Sequence, residues 1–176
     1  LRRWTVRCIM ALAGVLFLAG TVLVTQPLWG FTLVERLFPR IVWRVDVAEP
    51  LVALTFDDGP DAEHTPRILA LLARHQAKAT FFMIGDRALG NPEVVKLVRA
   101  GGHEIGNHYY RNGSALRMTA GRYVEDLMRT EKVLALEGPR KLFRPPSGLV
   151  SESQLDVLEA CGYRSIMGTV YPFDTS

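Results

Sequence analysis

The sequence predicts an α/β fold in which a parallel sheet alternates with amphipathic helices behind a separate apolar N-terminal helix. Three observations predict it. From Leu51 onward, short apolar runs rich in β-branched and aromatic residues alternate five times with helix-length amphipathic segments. Such alternation builds parallel strands joined by right-handed crossovers, either doubly wound or closed toward a barrel. Ahead of it, Cys8 to Val24 is a stretch of 17 residues without a charge, led by Arg2, Arg3 and Arg7. At 176 residues and 48% apolar content, the chain is sized for one domain with a real core beyond that segment.

The N-terminal run is at the short end for a spanning helix and longer than most signal-peptide cores, so both readings stand. Thr25-Gln26-Pro27-Leu28-Trp29 follows it, bulky where a signal peptidase requires small residues, which favours an uncleaved transmembrane signal anchor. Positive charge before the run would hold the N-terminus in the cytoplasm and place the domain outside. The expected organisation is a signal anchor or signal peptide over 1–30, a linker over 31–50 punctuated by Pro39 and Pro50, and a domain over 51–176.

Within the domain, Leu51–Phe56 reads as a strand and Thr65–His75 as a helix, with Pro66 in its first turn. Ala79–Ile84 is the next strand. Pro92–Ala100 is a helix with Asn91 as N-cap and Gly101-Gly102 as its stop. His103–Asn107 reads as a strand, Ala120–Leu136 as the longest helix, Lys141–Arg144 as a strand, Ser151–Ala160 as a helix capped by Ser151, and Tyr163–Met167 as a strand.

Composition excludes some functions. The net charge of +3 comes from 21 basic and 18 acidic residues, and three of the basic ones precede the apolar run. No basic face or aromatic-basic module follows residue 50, so no nucleic-acid partner is expected. Cys8 and Cys161 form no metal-type pair and are expected to be free.

In parallel α/β folds chemistry gathers where strands end. The first strand exits into Thr55-Phe56-Asp57-Asp58-Gly59-Pro60, two carboxylates at a forced turn. Adjacent residues leaving a strand point apart, so one aspartate can bind a metal ion while its neighbour acts as general base. A plain solvated Asp-Gly turn is the competing reading. The third strand lies in Gly102-His103-Glu104-Ile105-Gly106-Asn107-His108, bringing His108 to the same rim; imidazole beside carboxylate suits a divalent ion such as zinc. His64, His75 and His103 fall in a loop, at a helix end and at the strand's other end, where a structural role is expected. The fourth strand exits into Phe143-Arg144-Pro145-Pro146-Ser147-Gly148, a rigid turn whose arginine would orient a neighbouring aspartate or cap backbone carbonyls.

Taken together, Thr-Phe-Asp-Asp-Gly-Pro, Gly-His-Glu-Ile-Gly-Asn-His and Arg-Pro-Pro-x-Gly resemble the first three motifs of the polysaccharide deacetylases, which include chitin and peptidoglycan deacetylases. Ala79-Thr80-Phe81-Phe82-Met83-Ile84-Gly85 resembles that family's second strand. The resemblance implies a distorted (β/α) barrel, here partial, and a divalent metal, zinc foremost, with cobalt, manganese or nickel as alternatives. It implies Asp57 as base, Asp58 and His108 as metal ligands, Arg144 as the residue orienting Asp57, and a substrate-facing turn at Pro145, Pro146 and Gly148. The implied partner is an N-acetylated polysaccharide or oligosaccharide, and the apolar N-terminal helix separately predicts a membrane as a second partner.

Two motifs depart from the pattern. Where the family places a second histidine four residues after the first, this sequence has Asn112, a weaker ligand for a transition metal. The fourth motif aligns with Tyr171-Pro172-Phe173-Asp174-Thr175 and keeps one aspartate of two. A fifth, histidine-bearing motif would fall beyond Ser176, so the domain is expected to be C-terminally incomplete. The leading expectation is metal-dependent hydrolysis of N-acetyl groups on chitin oligomers or peptidoglycan. A catalytically impaired, membrane-tethered sugar-binding remnant and a hydrolase of formamides or cyclic imides are the alternatives.

Overall fold

The computed structural model describes residues 2–25 and 28–170. The chain divides into two compact units, Leu1–Pro39 with Gly168–Ser176, and Arg40–Met167. The first holds helix α1 (Arg2–Thr25) and helix α2 (Leu28–Leu37). The apolar run is thus helical, but among the described residues no helix is long and apolar enough to cross a membrane. Arg2, Arg3 and Arg7 occupy the first two turns of α1 and shorten its apolar part. The expected transmembrane helix is therefore unsupported. Tyr171 and Asp174 lie outside the described residues.

The second unit is built on six short strands: β1 (Ile41–Val42), β2 (Thr55–Phe56), β3 (Thr80–Met83), β4 (Glu104–Asn107), β5 (Lys141–Phe143) and β6 (Tyr163–Ile166). All pairings are parallel and the order across the sheet is β1-β6-β5-β4-β3-β2. From β2 to β6 each strand lies beside its predecessor. Right-handed crossovers between sequential neighbours put every connecting helix on one face, which selects the singly wound, barrel-like arrangement over a doubly wound sheet.

The helices are α3 (His64–Arg74), α4 (Gly85–Gly90), α5 (Pro92–Ala100), α6 (Ala120–Leu134) and α7 (Glu152–Ala160). Alternation along β3 shows how they are held. Phe81 and Met83 enter one apolar cluster with Leu72, Val95, Val98 and Leu134, whereas Phe82, buried on the opposite face, lies under the Arg144 guanidinium. A second cluster gathers Ile41, Leu127, Phe143, Leu155, Leu158 and Tyr163 against α6 and α7. Gly106 has no side chain because a Cβ there would meet the Phe82 ring at 2.5 Å.

Two expectations change. The presumed linker 31–50 holds the C-terminal part of α2 and supplies β1, with Ile41 buried and Arg40 bridging to Glu152, Asp156 and Glu159 of α7. The compact unit therefore starts at Arg40 rather than Leu51. Asn91 sits at the N-cap of α5 without capping through its side chain, which donates to Arg87 O instead (2.9 Å). Ser151 caps α7 as expected, in a reciprocal box with Gln154.

Candidate active site

Arg144, immediately after β5, organises the C-terminal rim. Its Nη1 donates to Asp57 Oδ1 at 2.7 Å and Thr55 Oγ1 at 2.8 Å, its Nε donates to Ile166 O at 3.3 Å, and its guanidinium carbon lies 4.1 Å from the Phe82 ring centroid. On a flat sheet β2 would lie about 14 Å from β5, three strand spacings away, whereas an arginine, a hydrogen bond and a threonine side chain together span only roughly 12 Å. The sheet must curl for these bonds to form, so Arg144 reports a barrel-like interior. Its side chain is 6% exposed and that of Asp57 33%. The cation is buried and fixed on several sides, while the carboxylate it holds stays open to solvent.

Asp58 adopts a left-handed backbone (φ 65°), unusual outside glycine, and points away from its neighbour. Its carbonyl accepts Arg87 Nη1 at 2.7 Å, and its Oδ1 lies 3.6 Å from His108 Nε2. The two adjacent aspartates thus diverge, Asp57 to Arg144 and Asp58 to His108.

The His108 ring is 3% exposed, and its Nδ1 donates to Arg144 O at 2.8 Å. A carbonyl can only accept, so Nδ1 carries the hydrogen of the neutral ring and Nε2 presents a lone pair. Burial holds the imidazole below its ordinary pKa, against the opposing pull of Asp57. Two electron-pair donors thus face each other at 3.6 Å. Two ligands about 2.1 Å from one ion at a tetrahedral angle stand about 3.4 Å apart. The donor set therefore fits two positions of a divalent ion, with the backbone carbonyl fixing the imidazole from outside. Among the described residues no group of three or more His, Cys, Asp and Glu is gathered tightly enough to hold a metal ion. Any further ligand has to come from elsewhere.

Pro145 to Gly148 form the expected turn, closed by Gly148 N to Pro145 O at 3.0 Å, with Gly148 at φ 66°. Asn112 lies in the exposed bend after β4, and among the described residues its side chain makes no hydrogen bond. The structure thus brings together Asp57, Asp58, His108 and Arg144 but does not tie Asn112 to them. Sequence reasoning missed Thr55, Phe82 and Arg87. Thr55 and Phe82 lay inside motifs read for other residues, and Arg87 follows β3 at the same rim, where the rule on strand ends would have found it.

Comparison with known proteins agrees with this geometry. The polysaccharide deacetylase family model matches residues 44–166. A peptidoglycan-N-acetylglucosamine deacetylase of Bacillus cereus is 38% identical over 129 residues, 72% of this chain, which spans 60% of that relative's length. The crystal structure of a peptidoglycan N-acetylglucosamine deacetylase in complex with an N-hydroxybenzamide superposes with a TM-score of 0.68 at 35% identity, over 72% of this chain and 60% of that one. A Bacillus anthracis protein described as a CE4 family pseudoenzyme superposes with a TM-score of 0.63 at 26% identity, over 72% of this chain and 46% of its own. With its family model covering more than half of its residues and the motif side chains assembled at one rim, the chain belongs to the polysaccharide deacetylase family.

Proposed function

We propose that the chain hydrolyses N-acetyl groups of a polysaccharide containing N-acetylglucosamine, with peptidoglycan the first substrate to test and chitin oligomers the second. The observation that carries this reading is the divergent aspartate pair: one carboxylate is clamped by a buried arginine and open to solvent, and the other faces the bare Nε2 of His108. A divalent ion, zinc foremost, held by Asp58 and His108 would supply Lewis acidity toward the acetyl carbonyl. Asp57 takes the proton of the attacking water, its free oxygen facing solvent for that purpose; as the acetyl C–N bond breaks, that proton goes to the departing amine nitrogen, leaving acetate and the free amino sugar. Arg144 fixes the other oxygen, so the base enters the reaction already oriented. The Pro145–Gly148 turn borders the same rim and forms one wall of the sugar cleft. Since the polymer lies outside the cell, an extracytoplasmic location belongs to the proposal.

Acetate release from peptidoglycan and from N-acetylglucosamine oligomers tests it. Asp57→Asn is expected to lower kcat about 1,000-fold, within the range that a general base supplies. Unchanged release would overturn the assignment. A second reading, sugar binding without turnover, is favoured by the exposed, unbonded Asn112 and by the likeness to a pseudoenzyme. Oligomer binding with no acetate release by the unaltered chain would establish it.

A further inference from the structure

The turn that carries His108 is held from outside the site. Asn107, at the end of β4, is fully buried, and its side chain spends each amide hydrogen. Nδ2 donates to Leu127 O of α6 (3.2 Å) and to the Tyr163 hydroxyl of β6 (3.0 Å), while Oδ1 accepts Tyr109 N (2.8 Å). The Tyr163 hydroxyl donates onward to Glu131 Oε2 (2.8 Å), which also accepts Lys141 Nζ (2.6 Å). Burial and the Glu131 carboxylate push the Tyr163 hydroxyl well above its ordinary pKa, so it remains a donor. The network joins α6, β4, β5 and β6 and ends on the backbone of Tyr109.

Tyr109 is strained. Its φ is 71°, left-handed for a bulky aromatic whose ring is buried and stacked on Tyr123 at 5.3 Å. Such a conformation is costly and persists only where its surroundings over-determine it. The Asn107 amide does so from one side. On the other, Arg144 N donates to Asn107 O (3.0 Å) and His108 N donates to Met83 O (2.9 Å). His108 is thereby set between a fixed strand end and a fixed left-handed residue.

We propose that Asn107, supported by Tyr163 and Glu131, is a positioning network for His108. It holds the turn at which the imidazole Nδ1 meets Arg144 O and Nε2 is turned to Asp58. Asn107 and Tyr163 are buried behind the rim, and Glu131 lies on α6, so the three act as positioning residues. The inference rests on the deacetylase reading only for its catalytic consequence; the orientation of the imidazole does not depend on it.

The test uses the whole chain labelled with 15N-histidine. NMR of the metal-free protein reads the His108 ring nitrogens, and competition with a chromophoric chelator reads zinc affinity. Tyr163→Phe removes the hydroxyl and keeps the ring. It is expected to weaken zinc binding roughly 3- to 10-fold and to shift His108 from a single Nδ1–H tautomer to a mixture. Asn107→Ala should lose roughly 10- to 100-fold, as expected for a residue behind a ligand. Glu131→Gln, which keeps an acceptor for Tyr163, should restore most of the loss seen in Glu131→Ala. Tyr123→Phe is the control, since that buried hydroxyl has no partner; it should change neither readout. Where acetate is released, Tyr163→Phe should lower kcat with KM held within about twofold. A Tyr163→Phe protein that folds and matches Tyr123→Phe in tautomer and zinc affinity would overturn the network. If the unaltered chain binds no zinc, the metal-dependent function fails while the tautomer measurement still decides the inference.

Discussion

His103 and His108 flank the same four-residue strand and differ in which ring nitrogen is left free. His103, before β4, accepts Ala79 N on Nδ1 at 3.3 Å and packs edge-on against Phe81 at 5.5 Å. Accepting on Nδ1 places the hydrogen on Nε2, and the ring fastens two parallel strands at their beginnings. His108, after β4, donates from Nδ1 to Arg144 O and frees Nε2 toward a carboxylate. Burial lowers the pKa of both. What separates a structural imidazole from a candidate ligand is therefore the direction of one hydrogen bond, imposed by whether a backbone N–H or a carbonyl meets the ring.

The contrast can be broken at several points. The largest expected effect falls on the rim: Arg144→Ala should lower kcat about 1,000-fold where acetate release is measurable, because it frees Asp57 and empties the space beside Phe82. His108→Ala should reduce zinc affinity by at least about 100-fold, whereas His103→Asn, which keeps an acceptor for Ala79 N, should leave it unchanged. Gly106→Ala, midway along the same strand, drives a Cβ into the Phe82 ring. A loss of about 1–3 kcal/mol in chemical denaturation is expected, with reduced activity because Phe82 lies under Arg144.

Acidification sharpens the comparison. Both histidines are held neutral in the folded state, so the unfolded chain binds protons more readily below the ordinary histidine pKa of about 6.5. Their contribution to stability is complete above that pH and is lost as pH falls through and below it. His103→Asn should flatten part of this slope in urea titrations between about pH 7 and pH 5 and leave the rest to His108. The smallest effect lies far from both. Ser151→Ala, at the α7 capping box, should cost about 1 kcal/mol in thermal unfolding without touching zinc affinity.

The motif residues were legible in the sequence because each directly follows a strand, and strand periodicity placed those ends within a residue or two. Asp57, Asp58, His108 and Arg144 were found by that rule. Helix α4 was not, since its six residues, with glycine at both ends, show no amphipathic period. Strand β1 was hidden in the presumed linker because two residues give no alternation; its place comes from pairing with Ser165 and Ile166, 124 positions along the chain. The curl of the sheet came only through the family resemblance, for strand–helix alternation by itself left a doubly wound sheet equally open. Asn107 was silent, for its role comes from partners on α6 and β6.

Zinc titration calorimetry on the unaltered chain, His103→Asn and His108→Ala tests the central claim most directly. One ion bound per chain in the first two proteins and lost in the third is the result the proposed metal-binding role of Asp58 and His108 predicts. Equal binding in His108→Ala, or loss in His103→Asn with the fold intact, would contradict it.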